Sequence, residues 1–195
     1  MDELSAKLIR KSEFLNSTVK QGLIQKATDV FFGITPIFWT QFGNENSLTV
    51  HRVKHAYKYS SNPQTDDDYL RLAQKFVGNV GNVHNVRPSS VEFDFCPFTI
   101  MDNGVSVKVA RITVDCPFID IGRYYDQIEP RGWSVIRRGR YQNISVPASF
   151  PDDEIFEDRG CKYRVRKEND KRMCRAVIEI APDQPARLIT FFPSK

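Results

Sequence analysis

Apolar residues recur at helical spacing from the start of the chain, at Leu4, Leu8, Leu15, Val19, Leu23, Ala27 and Val30, which predicts one amphipathic helix ending near Phe31. Lys7, Arg10, Lys11, Lys20 and Lys26 occupy other positions around the stripe. A stripe of this kind covers either its own domain or a partner. As an assembly arm it would offer Leu8, Leu15, Val19 and Leu23 to a neighbouring subunit. The next segment, FFGITPIFWTQFG, is aromatic and broken by Gly33 and Pro36, so it must be covered by the fold or by a partner. These features set the expected organisation: residues 1–43 as helical arm and aromatic connector, 44–195 as a strand-rich body, together one domain.

Within the body the period changes. Residues 47–59 alternate Val53, His55, Tyr57 and Tyr59 against Arg52, Lys54 and Lys58, as a strand with one basic face would. After the loop SSNPQTDDD, Tyr69, Leu72, Ala73 and Phe76 predict one short internal helix stopping at Gly78, and the Gly/Asn/Val triplets of 78–86 predict a loop with extended character. VEFDFCPFTI and VSVKVARITVDC flank Asp102-Asn103-Gly104, a β-hairpin signature. PASFPDDEIFEDRG reads as an acidic loop, CKYRVRKENDKRMCRAVIEI as a further hairpin, and 187–192 as a last strand. Early helices and late consecutive strands imply an α+β fold whose largely antiparallel sheet is barrel- or sandwich-like.

Composition narrows the class without naming a function. The chain has 195 residues, 41% hydrophobic and 27% charged, with fourteen Phe and seven Tyr, enough to bury a core unaided. The formal charge of +4 permits an acidic partner and falls short of a dense nucleic-acid stripe. The longest apolar stretch, Val30 to Phe42, is shorter than the roughly 20 residues a membrane span needs. The N-terminus lacks the apolar core and cleavage site of a secretion signal, so a cytoplasmic location is expected, with the four cysteines reduced. Under oxidising conditions Cys161 and Cys174, opposed in their expected hairpin, form the better disulfide pair, because Cys96 and Cys116 should stand about 17 Å apart along theirs. Asn16 and Asn143 sit in glycosylation-type triplets that matter only in an exported protein.

Three constellations could carry chemistry. If Asn103-Gly104 is a two-residue turn, Asp102 pairs with Val105, Glu92 faces Asp115 and Asp94 faces Thr113. Three carboxylates, Glu92, Asp94 and Asp115, then gather on one face as candidate oxygen ligands for a divalent metal, or as a plain solvated face. His51 and His55, four apart beside Arg52 and Lys54, and His84 are candidate acid/base groups, with ordinary hydrogen-bonded histidines as the plainer account. Arg131, Arg137, Arg138 and Arg140 around Trp133, with Lys162, Arg164 and Arg166 around Tyr163, combine cations and rings as single-strand nucleic-acid binders do; the alternative is a solvated face neutralised by the acidic loop.

The run EFDF, turn, GVSVKVAR after a helix resembles the core of the restriction-endonuclease-like nucleases, over the hairpin and its flanks only. That resemblance implies Asp94 or Glu92 as a first Mg²⁺ ligand and Lys108 as the lysine of an acid-x-Lys triplet, with Ser106 standing where the triplet's acid is expected. Without a complete catalytic set, the expected function is a non-enzymatic structural or binding component of a protein assembly, acting through protein partners or self-association. It needs no cofactor. A nucleic-acid-binding protein and a Mg²⁺-dependent phosphodiester-cleaving nuclease stand as alternatives.

Overall fold

A computed structural model describes residues 3–13, 15–39, 48, 52, 65–102, 104–118, 125–129, 155–158, 161–165, 173–181 and 183–194. The N-terminal stripe is cut into two helices, α1 (Glu3–Lys11) and α2 (Ser17–Phe31). The cut has a local cause: Asn16 takes an extended conformation (φ −67°, ψ 156°) and its Oδ1 accepts from the Val19 amide at 3.0 Å, capping a new helix. Helix α2 ends at Gly33, whose φ of +71° lets the chain reverse toward β1 (Phe38–Trp39).

The internal helix α3 spans Asp66–Val86, 21 residues, so the expected short helix ending at Gly78 is corrected. Its start is a reciprocal cap, with Thr65 Oγ1 accepting from the Asp68 amide and Asp68 Oδ2 from the Thr65 amide, both at 3.1 Å. Its glycines serve packing rather than termination. A Cβ at Gly81 would lie 2.7 Å from the Phe32 ring, and one at Gly78 would lie 3.0 Å from the Gly33 Cα. After a 3₁₀ turn at Pro88–Ser90 come β2 (Glu92–Asp102) and β3 (Val105–Pro117), then β4 (Tyr125–Glu129), β5 (Ile155–Asp158), β6 (Cys161–Val165), β7 (Met173–Ile180) and β8 (Arg187–Pro193).

The strands make an α+β fold with two separate sheets. The larger has the order β1-β8-β7-β3-β2, and the smaller β4-β6-β5. The five-stranded sheet is open, which corrects the barrel-like expectation, and it is mixed: β1 runs parallel to β8 while the remaining pairs are antiparallel. Further corrections are local. The acidic segment contains β5; β6 and β7 lie in different sheets instead of forming one hairpin; and Leu48 and Arg52, the described residues of the expected strand 47–59, are helical.

One compact unit holds Met1–Thr40, Ala73–Pro117 and Met173–Ser194. Its core forms where alternate strand residues, among them Phe93, Ile112, Val114, Ala176, Ile178 and Phe191, meet the apolar sides of the helices. The Phe31 and Phe93 rings lie 5.1 Å apart and those of Phe76 and Phe191 5.0 Å. Leu4, Leu8, Leu23, Ala27 and Val30 are buried in the same unit. Two lysines bind its edges: Lys7 Nζ donates to Pro88 O at 3.2 Å and to Val91 O, and Lys26 Nζ to Ala181 O at 2.8 Å and to Gln184 O. Burial of their ammonium groups lowers both pKa values from the ordinary lysine value. The other unit, Gln41–Leu72 with Phe118–Arg172, contains the three-stranded sheet and an ion pair from Arg52 Nε to Asp66 Oδ1 at 2.6 Å.

Candidate functional site

The β2–β3 ladder has the register its turn implies, with Glu92 opposite Asp115, Asp94 opposite Thr113 and Asp102 opposite Val105. The three carboxylates therefore do share a sheet face. Extending the ladder to β7 places Arg175 beside Asp115 and Glu179 beside Arg111. Arg175 Nε lies 3.0 Å from both Asp115 oxygens and its Nη2 lies 2.8 Å from Oδ2, while Arg111 Nη2 reaches Glu179 Oε1 at 2.5 Å. Hydrogen bonding to Asp115 raises the Arg175 pKa further above the usual guanidinium range. Both Asp115 oxygens are thus engaged by a guanidinium, which turns a repulsive carboxylate pair into a cross-strand charge lattice. Among the described residues no group of three His, Cys, Asp or Glu side chains is arranged to hold a metal.

The same register separates the residues that the nuclease resemblance needs together. Lys108 faces Thr99, which lies roughly 17 Å along β2 from Asp94. Ser106 is exposed near the hairpin turn, opposite Met101. His84 is buried on α3 with its ring 6.3 Å from that of Phe93, away from any solvent-facing acid/base position. His51 and His55 lie outside the described residues.

Of the candidate nucleic-acid contacts, Arg131, Trp133, Arg137, Arg138, Arg140 and Arg166 also lie outside the described residues. Lys162 and Arg164 fall on the central strand β6 of the small sheet. There Lys162 has Glu129 and Glu157 as Cα partners and Arg164 has Asp126 and Ile155, so acidic positions flank the basic ones. Of the arm residues, Leu8 and Leu23 are buried in their own unit and Leu15 and Val19 are half-buried.

Among the described residues three large apolar side chains face solvent: Val86, at the end of α3, and two on the segment that joins α2 to β1. Phe31 and Ile37 turn inward, whereas Ile34 is 71% and Phe38 52% exposed. The backbone between them is fixed at each step. The Ile34 amide donates to Asp29 O at 2.8 Å, the Ile37 amide to Gln74 Oε1 at 2.7 Å and the Phe38 amide to Ala186 O at 2.9 Å. A rigid strap therefore presents two large apolar side chains beside an edge strand. The aromatic, Gly/Pro-broken composition of 31–43 signalled that strap. The inward role of Phe31 and Ile37 required the packed helices. Compared with protein-family models, with curated proteins and with solved structures, the chain matches none.

Proposed function

We propose that this chain is a non-enzymatic component of a protein assembly, with the α2–β1 connector as its contact surface and a second copy of the chain as its occupant. The observation that carries this reading is the pair Ile34 and Phe38, exposed on a backbone whose amides are already hydrogen-bonded. Large apolar groups held in place lose little conformational entropy when they are covered, which favours association. Their place in the fold supports a contact there. Strand β1 is one edge of the five-stranded sheet, and the opposite edge, β2, carries exposed Glu92 and Asp94 and has Pro97 in its ladder, features that discourage strand addition. A contact between identical copies is commonly a closed two-fold dimer, in which the same patch meets itself.

Light scattering on the purified chain at low and high salt, with absorbance at 260 and 280 nm across the peak, tests the proposal. The expected result is a nucleic-acid-free oligomer that persists at high salt. The double variant Ile34→Asp/Phe38→Asp should weaken association by at least about 100-fold, in line with the loss of two buried apolar anchors, while the circular dichroism spectrum is unchanged. A wild-type monomer at high concentration, or a variant that associates as well as wild type, overturns it.

A further inference from the structure

Cys174 has a partner that its sequence neighbourhood conceals. Its Cα partner is Cys116, across the β3–β7 ladder, and both side chains are buried, at 0% and 1% exposure. Neither is cross-linked. Directly opposed residues of an antiparallel pair project to the same face with Cα atoms about 4.5–5.5 Å apart. That spacing falls within the Cα separation a disulfide spans. Cys161, on β6 of the other sheet, is not placed opposite Cys174.

The location adds a second argument. Cys116 and Cys174 are one residue inside the final ladder pair, Pro117 with Met173, and these are the residues at which the chain leaves and re-enters its compact unit. Strand ends open locally at lower free energy than sheet centres, so this buried pair has a route to solvent that leaves the rest of the sheet intact. Closed, the pair is unreactive. Burial pushes the Cys116 thiol up to about 12 and the Cys174 thiol well above its ordinary value, so the attacking thiolate is scarce until the end opens.

We propose that Cys116 and Cys174 form an oxidation-sensitive dithiol whose product is an intramolecular disulfide clasping β3 to β7 where the excursion Phe118–Arg172 begins and ends. The oxidant is a low-molecular-weight disulfide. One cysteine, as thiolate, attacks a sulfur of that disulfide and expels one small thiolate; the second cysteine, losing its proton, attacks the protein sulfur of the mixed disulfide and expels the other. One S–S bond forms between the cysteines, one is lost from the oxidant, and the two protons end on the two released thiols. The dithiol is oxidised by two electrons and the small disulfide reduced by two.

The full chain is equilibrated in oxidised and reduced glutathione over a graded ratio, quenched with an alkylating agent and mapped by mass spectrometry, with near-ultraviolet circular dichroism on the same samples. The expected result is loss of two of the four thiols, a linked Cys116–Cys174 peptide, an unchanged native spectrum and full reversal by dithiothreitol. The same link should form in a Cys96→Ser/Cys161→Ser variant. In the reduced native chain both thiols should alkylate at least about 100-fold more slowly than exposed Cys96. The proposal is overturned if the pair stays reduced at a ratio that glutathionylates Cys96, if the linked peptide contains Cys96 or Cys161, or if the native spectrum is lost as the bond forms.

Discussion

A methyl group at position 81 would meet the Phe32 ring at 2.7 Å, so helix α3 and the connector pack too closely there for a side chain. Gly81→Ala gains helix propensity of about 1 kcal/mol but forces a repacking that costs about 1–3 kcal/mol. The net expectation is a lower urea midpoint, the opposite of what an alanine in a free helix would do. Glu179 makes a different demand. Its carboxylate is 4% exposed and Arg111 is its ion-pair partner, so Arg111→Met should destabilise by about 2–3 kcal/mol, less than a fully buried pair because Arg111 is partly exposed. Adding Glu179→Gln should recover part of that loss, and a double-mutant cycle by urea denaturation measures how much. At the α3 start, hydrogen bonds from the Thr65 side chain and backbone hold Asp68 below the usual carboxylate pKa. A depressed folded pKa contributes stability that is present above the unfolded value, about 3.9, and lost as pH falls through the depressed one. The gap in stability between wild type and Thr65→Ala should therefore narrow below about pH 4, as thermal unfolding at a series of pH values would show.

At the scale of elements, legibility followed how local each determinant is. The β2–β3 register could be read because Asp102-Asn103-Gly104 sets the turn, and the turn sets every pairing after it. Gly78 and Gly81 looked like a helix stop because their reason for being glycine lies on another element: Gly33 and Phe32 come too close for a side chain. The split of the N-terminal stripe is the exception: its cause, the Asn16 cap, is local, yet an unbroken apolar period runs straight through it and hides it. Strand β1 has two residues and no alternation to detect, yet it alone makes the large sheet mixed. Cys161 and Cys174 seemed hairpin partners because sequence proximity usually means pairing, whereas β7 takes β3 and β8 as neighbours. The carboxylate face was legible for the same reason as the hairpin. Its neutralisation by Arg175 was not, because β7 enters the sheet from far along the chain.

Across the whole molecule, chemistry and surface point in different directions. The charged face of the large sheet carries the ion pairs Asp115–Arg175 and Arg111–Glu179, while among the described residues the exposed large apolar side chains are Ile34 and Phe38 on the strap and Val86 at the end of α3. The expected loss of self-association in Ile34→Asp/Phe38→Asp is thus a statement about one strap and not about the sheet face. Among the described residues no helix is long and apolar enough to cross a membrane. The pairing of Pro117 with Met173 has a consequence for the chain as a thread. Its two ends stand about 5 Å apart, a gap that an Asn-Gly turn closes. Residues 118–172 are therefore spliced into a hairpin instead of linking two distant strands. Replacing them with such a turn should leave β3 and β7 paired, with amide hydrogen exchange still slow along both strands. In the order of the sheet the segment is an insertion at a hairpin end, so its length does not enter the threading of the strands on either side of it.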